Sequence, residues 1–476
     1  MRSATVSATV LGMAFVGLAA CTAAKPNFAP DSGVSMDASW VDAARDGATL
    51  GDATIDGGGC SRFGFATCAA DCDTYVWADE ARCGDCATSC EATRLCVAGA
   101  CRSPIATELA LGADFTCALL TSGHVVCWGR DHQGQLGDRS FAPDDRGRAD
   151  AVAVEGVDDA VGVSASGYTA CAIRGVERTV ECWGNNSPAR FGDDAVVPAN
   201  LRQALRFASD PAPVREVSVS DLHVCARTDA AVLCAGYNLN GQLGAADPGL
   251  RTRLLVPVPG LPPGAPRAVV AGTSGGTGFT CVAASDGQVY CFGANDRFQL
   301  GRDDVTMASS PSLVPGPSGV VQLGAGVGFV CARSDTGAVW CWGANDYGQL
   351  GNGAVGGDQA TPAQVMGVPP IGALAVGGGF VLAVHRDGTE VWGWGARDDG
   401  QLGTGELMLD ATGTPARLRS VGGATYSAYA GSNHAFVLEQ QPGTTDILCA
   451  GSNRHLQLGL AGTSDRTSFG PTEALP

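Results

Sequence analysis

From residue 105 onward, short runs of alternating apolar residues are separated by glycine turns and polar loops, and the arrangement recurs along the chain. In the first period the run FTCALL is followed by a Ser-Gly turn and by the run VVCWG. A strand, a glycine turn and a second strand predict a β-hairpin. No segment shows convincing helical periodicity. The pattern predicts an all-β domain with about four short strands in each period.

Each period contains a variant of one motif, whose fullest copy is CWGANDYGQLG from Cys341. Its relatives are CWGRDHQGQLG from Cys127, CWGNNSPARFG from Cys182, CAGYNLNGQLG from Cys234, CFGANDRFQLG from Cys291, GWGARDDGQLG from Gly393 and CAGSNRHLQLG from Cys449. The glycine at the third position recurs at intervals of 50 to 57 residues. Seven copies at this period predict a propeller or another closed repeat array.

Five periods carry two cysteines on opposite sides of the predicted hairpin, 9 to 11 residues apart: Cys117 with Cys127, Cys171 with Cys182, Cys225 with Cys234, Cys281 with Cys291, and Cys331 with Cys341. Directly opposed strand positions are close enough for a disulfide. In the sixth period Leu382 and Gly393 fill the two positions, so both cysteines are absent together. Joint absence is what a bonded pair predicts.

The N-terminus predicts export. Arg2 precedes the apolar run 6–20, which is too short for a membrane-spanning helix and is typical of a signal peptide. The ending Leu-Ala-Ala-Cys resembles a bacterial lipobox, which implies that residues 1–21 are a lipoprotein signal and that Cys21 is lipidated; a signal peptide with a chance cysteine is the alternative. Thr22, rather than Asp, follows Cys21, which favours the outer membrane. We expect an exported protein that is lipid-anchored at the bacterial cell surface and contacts the membrane through that lipid only.

Residues 22–59 are rich in Ala, Gly, Ser and Asp, which predicts a flexible acidic linker. Residues 60–101 form a short module in which disulfides must replace a core. Its eight cysteines are Cys60, Cys68, Cys72, Cys83, Cys86, Cys90, Cys96 and Cys101. Their connectivity stays open, and the Cys83–Cys86 spacing leaves a zinc or redox site as the alternative. The module resembles small cysteine-rich modules that precede repeat domains in surface lipoproteins of soil bacteria.

In the seventh period the two hairpin positions hold Phe436 and Cys449. Of the 20 cysteines, one is assigned to the lipid, eight to the module and ten to hairpins, which leaves Cys449 alone. We predict a buried, reduced thiol; the alternative is a reactive or intermolecular cysteine.

The remaining candidate chemistry is sparse. A net charge of −18 argues against a nucleic-acid partner, and the single lysine, Lys25, excludes a Gly-Lys-Ser/Thr phosphate loop. His223 and His434 take the position that an aromatic residue fills in other periods, which indicates packing. The Asn or Asp at the fifth motif position is expected to cap a turn, with calcium binding as the alternative, and the motif glutamine to bond the backbone of a neighbouring strand. We predict no catalytic residue, metal site or cofactor.

The Cys-Ala-Leu, glycine turn and Cys-Trp-Gly-x-Asn-x-x-Gly-Gln-Leu-Gly pattern resembles the regulator of chromosome condensation repeat family over residues 105–476. The resemblance implies a seven-bladed β-propeller. Bacterial relatives with cysteine-linked blades imply a surface or secreted binding protein, and one type resembles a secreted β-lactamase inhibitor. Nucleotide exchange and chromatin docking, known for the family's eukaryotic founder, are not expected of an exported acidic chain.

These observations predict a non-enzymatic, surface-anchored lipoprotein whose propeller binds an unidentified protein or glycan. The alternatives are an enzyme inhibitor acting through one propeller face and a glycan-active enzyme. The latter predicts acids and a basic residue converging at one channel mouth. Since loops on a rigid scaffold often carry binding residues, the long connections between motifs are the predicted contact regions, foremost residues 138–160 with Phe141.

Overall fold

The computed structural model describes residues 95–97, 100–102, 105–138, 147–175, 179–186, 203–204, 206–207, 213–245, 251–405 and 411–475. Within these ranges the chain forms strands and turns and no α-helix. Strands β1 (Leu95–Val97) and β2 (Ala100–Arg102) form an antiparallel hairpin that places Cys96 opposite Cys101. The other predicted features of the N-terminal part, namely Cys21, the linker and the cysteines from Cys60 to Cys90, lie outside the described residues.

The propeller consists of seven antiparallel sheets, each with four consecutive strands, here called A to D from the central channel outward. Blade 1 is β3 (Ala106–Leu111), β4 (Phe115–Leu120), β5 (Val125–Gly129) and β6 (Arg148–Ala153); blade 2 is β7 (Ala160–Ser166), β8 (Thr169–Arg174), β9 (Val180–Gly184) and β10 (Gln203–Ala204). Blade 3 is β12 (Val214–Val219), β13 (His223–Thr228), β14 (Val232–Gly236) and β15 (Thr252–Pro257), with β11 (Arg206–Phe207) parallel to β15.

Blades 4 to 7 repeat the arrangement. Blade 4 is β16 (Ala268–Ser274), β17 (Thr277–Ala283), β18 (Val289–Ala294) and β19 (Met307–Val314); blade 5 is β20 (Val320–Ala325), β21 (Phe329–Ser334), β22 (Val339–Gly343) and β23 (Gln359–Gln364). Blade 6 is β24 (Ile371–Val376), β25 (Phe380–His385), β26 (Val391–Gly395) and β27 (Thr412–Arg419); blade 7 is β28 (Thr425–Ala430), β29 (His434–Gln441), β30 (Thr444–Gly451) and β31 (Arg466–Pro471).

Burial changes from the inner to the outer strands of a blade. In blade 1 every residue of β4 is buried, whereas β6 has none that is fully buried. Strands B and C are packed between neighbouring blades, and their apolar pattern is the one visible in the sequence. The D strands lack that pattern. The six connections between successive motifs, which the sequence indicates are long loops, therefore contain the D strands of blades 1 to 6. Residues 138–160, the predicted contact loop, contain β6, while residues 139–146 with Phe141 lie outside the described residues.

The structure forms all five predicted hairpin disulfides. Each joins directly opposed positions of strands B and C, with Cα atoms 4.0–4.2 Å apart. In blade 6 Leu382 lies opposite Gly393, as the spacing predicts. Cys449 lies opposite Phe436, is buried, and has no disulfide partner among the described residues. Burial raises the pKa of its thiol to about 12, so Cys449 is not a nucleophile at neutral pH.

Blades 7 and 1 meet without exchanging a strand, because each sheet is built from its own four strands. The seam is closed by side chains: the Trp128 indole donates to the Gln457 carbonyl oxygen at 3.0 Å and packs edge-on against Phe436. The same bond recurs around the ring, where an indole donates to the motif-glutamine carbonyl of the preceding blade: Trp183 to Gln135, Trp342 to Gln299, and Trp394 to Gln349. A repeated contact therefore holds both the seam and other blade interfaces.

In several blades the aromatic ring at the start of strand B packs against the residue three positions upstream, so the size of that residue limits which ring fits. A Cβ on Gly112 would lie 2.0 Å from the Phe115 ring, so phenylalanine requires glycine there. In blade 3 the pair is Ser220 and His223, and the hydroxyl lies 2.9 Å from the imidazole Nδ1. Blade 7 has His434 with Gly431: the buried Nδ1 has no hydrogen-bond partner, while Nε2 lies 3.0 Å from Thr116 Oγ1 in blade 1. His434 thus pairs with glycine, as phenylalanine does in blade 1, but keeps one hydrogen bond across the seam.

We expect His434→Phe to change the free energy of unfolding by less than about 1 kcal/mol at neutral pH, because it removes the unsatisfied buried Nδ1 but also the hydrogen bond between Nε2 and Thr116 Oγ1. Burial lowers the pKa of His434 to about 4, against an opposing effect of Asp114. Since the unfolded histidine titrates near 6.5, the unfolded state binds its proton first, and wild-type stability falls as pH drops from about 6.5 to 4. The stability of the variant relative to wild type should therefore rise as the pH falls through that window, as measured by denaturant titrations.

His223→Phe is the matched control for this prediction. There the Ser220 side chain occupies the space that a phenyl ring needs, so the substitution should destabilise the protein. A stability difference between wild type and His434→Phe that stays constant from pH 7.5 to 5 would contradict the assignment.

Candidate binding face at the channel mouth

Two kinds of turn meet at one end of the propeller. The turn between strands A and B accepts a backbone hydrogen bond from the fourth motif residue of the same blade, for example from Ala344 N to Gly328 O at 2.9 Å. Equivalent bonds occur in five other blades, at Arg130, Asn185, Tyr237, Ala396 and Ser452. We call this end, formed by the A–B turns and the motif turns, the turn face.

Each motif turn is held by its own polar side chains. In blade 5 the Asn345 side-chain oxygen accepts from Leu350 N, and its amide nitrogen donates to the carbonyls of Ala354 and Gly356. This confirms the turn-capping interpretation, since an amide that donates to carbonyls leaves no oxygen cage for a cation. The glutamine prediction was wrong. The Gln349 side chain accepts from Tyr347 N, two residues upstream, and it is its main-chain carbonyl that contacts the next blade.

The sixth and seventh motif positions lie at the tip of each turn and differ from blade to blade. The sixth-position residues described by the structure are His132, Leu239, Asp296, Asp346, Asp398 and Arg454. At the tips, 60% of Leu239 and 46% of Tyr347 are exposed. The sequence predicts that the motif is scaffold alone and that binding residues lie in the long connections. The variation at the sixth and seventh positions is nevertheless visible in the seven copies of the motif.

Backbone hydrogen bonds join neighbouring A–B turns along much of the channel mouth. Ala113 N donates to Gly167 O, Val327 N to Gly378 O, Gly378 N to Gly431 O, and Ser432 N to Gly112 O, at 2.7–3.2 Å. These bonds link blade 1 to 2, 5 to 6, 6 to 7 and 7 to 1. The approach requires glycine, because a Cβ on Gly326 would lie 2.3 Å from the Gly377 oxygen. The mouth is therefore a backbone frame from which the tips project.

A polar cluster crosses the blade 7–1–2 junction beside this mouth. Arg130 pairs with Asp114 at 2.9 Å and donates to the Tyr168 hydroxyl at 3.2 Å. The His132 ring packs edge-on against Tyr168 with centroids 4.8 Å apart, and His455 Nδ1 lies 3.6 Å from Asp114. Acids and a basic residue thus converge here, as a glycan-active enzyme would require. However, burial and Asp114 raise the pKa of Tyr168, so its hydroxyl stays protonated and is suited to hydrogen bonding rather than to proton abstraction.

Ion pairs also connect the tips of blades 4 to 7. Arg297 of blade 4 contacts Asp346 at 2.8 Å and Asp358 at 2.5 Å in blade 5, and Arg454 of blade 7 contacts Asp399 of blade 6 at 2.8 Å. Partly exposed pairs of this kind contribute about 1 kcal/mol or less each. They orient the tips more than they stabilise the fold.

The described residues hold no group of three or more His, Cys, Asp or Glu side chains that could bind a metal ion. The same part of the chain has no helix of the length and apolarity needed to span a membrane.

Sequence comparison identifies the repeat. The family model described as Regulator of chromosome condensation (RCC1) repeat matches residues 286–333 and 336–384, and a second model of that description matches residues 106–135 and 320–349. The structure of yeast RCC1 (Prp20) bound to Kap60 is similar, with a TM-score of 0.60 at 18% identity, covering 70% of this chain and 80% of that chain. The protein is a β-propeller of RCC1-type repeats.

Other relatives agree on the fold. Human WBSCR16 gives a TM-score of 0.60 at 18% identity, covering 71% of this chain and 88% of that one. Prp20p from Saccharomyces cerevisiae gives 0.59 at 18% identity, covering 76% and 90%. Protein pim1 of Schizosaccharomyces pombe is 27% identical over 219 residues, which cover 43% of this chain and 40% of pim1. The match thus spans less than half of pim1, and identities this low show fold rather than activity.

The RCC1-type repeat and the blade are offset by half a blade. The matched span 286–333 begins at the turn between β17 and β18 of blade 4 and ends on β21 of blade 5. One sequence repeat therefore holds the outer hairpin of one blade and the inner hairpin of the next, so each repeat links two blades covalently. Only the junction of blades 7 and 1 lacks such a link, and there the Trp128 and Ser432 contacts close the ring.

Proposed function

We propose that the protein is a non-enzymatic binding protein that presents the turn face to a protein or glycan, and that it is anchored at the bacterial cell surface through a lipid on Cys21. The observation that carries the proposal is the set of motif tips: the pair of side chains at the sixth and seventh positions is different in each described blade, while the backbones are fixed by repeated hydrogen bonds. Rigid frames with variable exposed tips are typical of recognition surfaces.

The relatives support a protein partner. The structures of the yeast relative are described as Prp20 bound to Kap60 and as the binding properties of Prp20p to Gsp1p and histones. The exposed Tyr347 side chain is of the aromatic type enriched at the centres of protein interfaces, and the exposed Leu239 adds apolar surface at a second tip. The lipobox-like Leu-Ala-Ala-Cys ending and the acidic stretch 22–59 support the anchoring, and Cys21→Ala should move the protein from the membrane fraction to the soluble fraction.

The proposal is tested by affinity capture from surface and secreted extracts with the full-length protein. We expect Leu239→Ala combined with Tyr347→Ala to weaken the captured interaction at least about tenfold, because interface anchors contribute about 1–2 kcal/mol each. Met366→Ala with Val421→Ala is the matched control, since these exposed apolar residues belong to the loops between strands D and A at the opposite end. Equal retention by both variants would contradict the turn face as the binding surface.

A glycan-active enzyme is the second candidate, and the Asp114–Arg130–Tyr168 cluster favours it by composition. The test is turnover on a panel of polysaccharides. Turnover of any of them by wild type, with none by Asp114→Asn, would establish a glycan-active enzyme in place of a binding protein. If the captured partner is a hydrolase whose activity the protein blocks, the binding function takes the form of inhibition.

A further inference from the structure

The central channel holds a cavity of about 260 Å³ at the turn face. The inner strands and A–B turns line it, and the lining residues with polar side chains are Ser164, Ser166, Ser218, Asp221, Thr273 and Ser432. The lining contains no Lys, Arg or His among the described residues, and Asp221 is the one ionisable group in it. The hydroxyls can donate or accept hydrogen bonds, so the Asp221 carboxylate alone sets the sign of the charge on this wall.

Asp221 differs from the other acids of the turn face. Asp114 is paired with Arg130, and Asp296 accepts hydrogen bonds from Ser274, Thr277 and Gln299. The Asp221 side chain extends from the A–B turn of blade 3 toward blade 2, where it lies against Gly167. No donor within the described part of the chain reaches its carboxylate. The charge therefore faces the cavity without a protein partner.

The rest of the channel adds no positive charge that would oppose Asp221. A second cavity of about 420 Å³, lined in part by Glu108 and Gln322, continues the channel along the inner strands, and its described lining also lacks a basic residue. Burial raises the pKa of Glu108 to about 7, so this carboxyl adds only part of a negative charge at neutral pH. The whole chain has a formal net charge of −18. A cleft with low-dielectric walls and charges of one sign concentrates ions of the opposite sign. The channel mouth thus favours cations over neutral and anionic groups.

The size of the cavity limits the ligand. Pockets for small molecules usually measure about 300–1,000 Å³, so 260 Å³ suits one side chain better than an oligosaccharide. Val327, Ala325 and Leu323 line one wall and offer an apolar surface for a methylene stem. An acidic end and an apolar wall together match arginine or lysine.

We propose that the channel mouth binds the guanidinium or ammonium group of an arginine or lysine side chain presented by a protein partner, with Asp221 as its counter-ion. This rests on the proposed function, because the partner must dock on the turn face for its side chain to enter the channel.

The test is calorimetric titration of the full-length protein with acetyl-Gly-Arg-Gly-amide and with the uncharged isostere acetyl-Gly-citrulline-Gly-amide. We expect saturable binding of the arginine peptide and binding of the citrulline peptide at least about tenfold weaker, since a charge-assisted hydrogen bond is lost. Asp221→Asn should weaken the binding of the arginine peptide by a similar factor. Asp303→Asn removes the same charge from an exposed loop of blade 4 and should leave the affinity unchanged.

Absence of saturable arginine-peptide binding to wild type, or an equal loss in Asp221→Asn and Asp303→Asn, would overturn the proposal. An oligosaccharide that displaces the peptide and binds Asp221→Asn as well as wild type would overturn it in favour of a glycan. A captured partner that is sensitive to Leu239→Ala with Tyr347→Ala but insensitive to Asp221→Asn would overturn the channel site while leaving the proposed function intact.

Discussion

Trp128→Ala is expected to lower the free energy of unfolding by about 3–5 kcal/mol, the usual cost of removing a large buried aromatic side chain. Trp128 is fully buried, contacts Phe436 with ring centroids 6.0 Å apart, and donates to Gln457 O. Its position at the junction of blades 7 and 1 adds to the effect, because no strand or connecting segment joins those two blades. Equilibrium unfolding in guanidinium, followed by tryptophan fluorescence and circular dichroism, measures the change.

Trp128→Phe is the control that separates packing from the hydrogen bond. Blade 4 has Phe292 at the same position, so an aromatic ring without a donor fits this kind of interface. The variant should lose about 1 kcal/mol. Blades 3 and 7 have Ala235 and Ala450 there, so alanine at position 128 tests whether this particular seam needs the indole. A loss below about 1 kcal/mol for Trp128→Ala would show that the indole does not hold the seam.

Replacing Cys331 and Cys341 together with alanine is expected to cost about 2–3 kcal/mol, because the disulfide closes a loop of about ten residues in the unfolded chain. The bridge is buried between blades, so the native state also loses packing. Thermal and denaturant unfolding of the oxidised protein should both show the loss. Strong reductant should produce a larger shift in wild type, where all five bridges can open.

Blade 6 supplies a natural control for this prediction. There Leu382 and Gly393 replace the two cysteines, and a Cβ on Gly393 would lie 2.6 Å from Leu418 and 3.1 Å from Leu382. Two leucines therefore fill the space that a disulfide takes in other blades. By register the blade 5 counterpart of Leu418 is the smaller Val365, so Cys331→Leu with Cys341→Gly should recover only part of the stability. Full stability of the double-alanine variant would contradict a stabilising role for the bridge.

The blades could be predicted from the sequence because the same apolar pattern, motif and cysteine spacing recur along the chain. Strands B and C bury apolar residues in every blade, and the 9–11-residue spacing of cysteines is that of opposed hairpin positions. Strands D could not be predicted individually. In β6 the residues are intermediate or exposed without regular alternation, so its pairing with β5 depends on the neighbouring strand rather than on its own pattern.

The candidate binding face was predicted only in part. The glycines of the A–B turns were visible, but which turns meet depends on ring closure, which brings Ser432 to Gly112 across most of the chain. Asp221 lies outside the repeated motif, and its place beside the channel depends on Gly167 of blade 2, which leaves room for its carboxylate. The glutamine contact was misassigned because the sequence does not show that Gln349 folds back under its own turn.

Binding through the turn face is tested most directly by site-specific photocrosslinking on intact cells, with a benzophenone amino acid in place of Tyr347 or of Met366. Tyr347 lies at a motif tip and Met366 belongs to a loop at the opposite end, and both side chains are exposed, 46% and 69% respectively. We predict one crosslinked partner from position 347 and none from position 366. The same partner from both positions, or a partner from position 366 alone, would contradict the turn face as the binding surface.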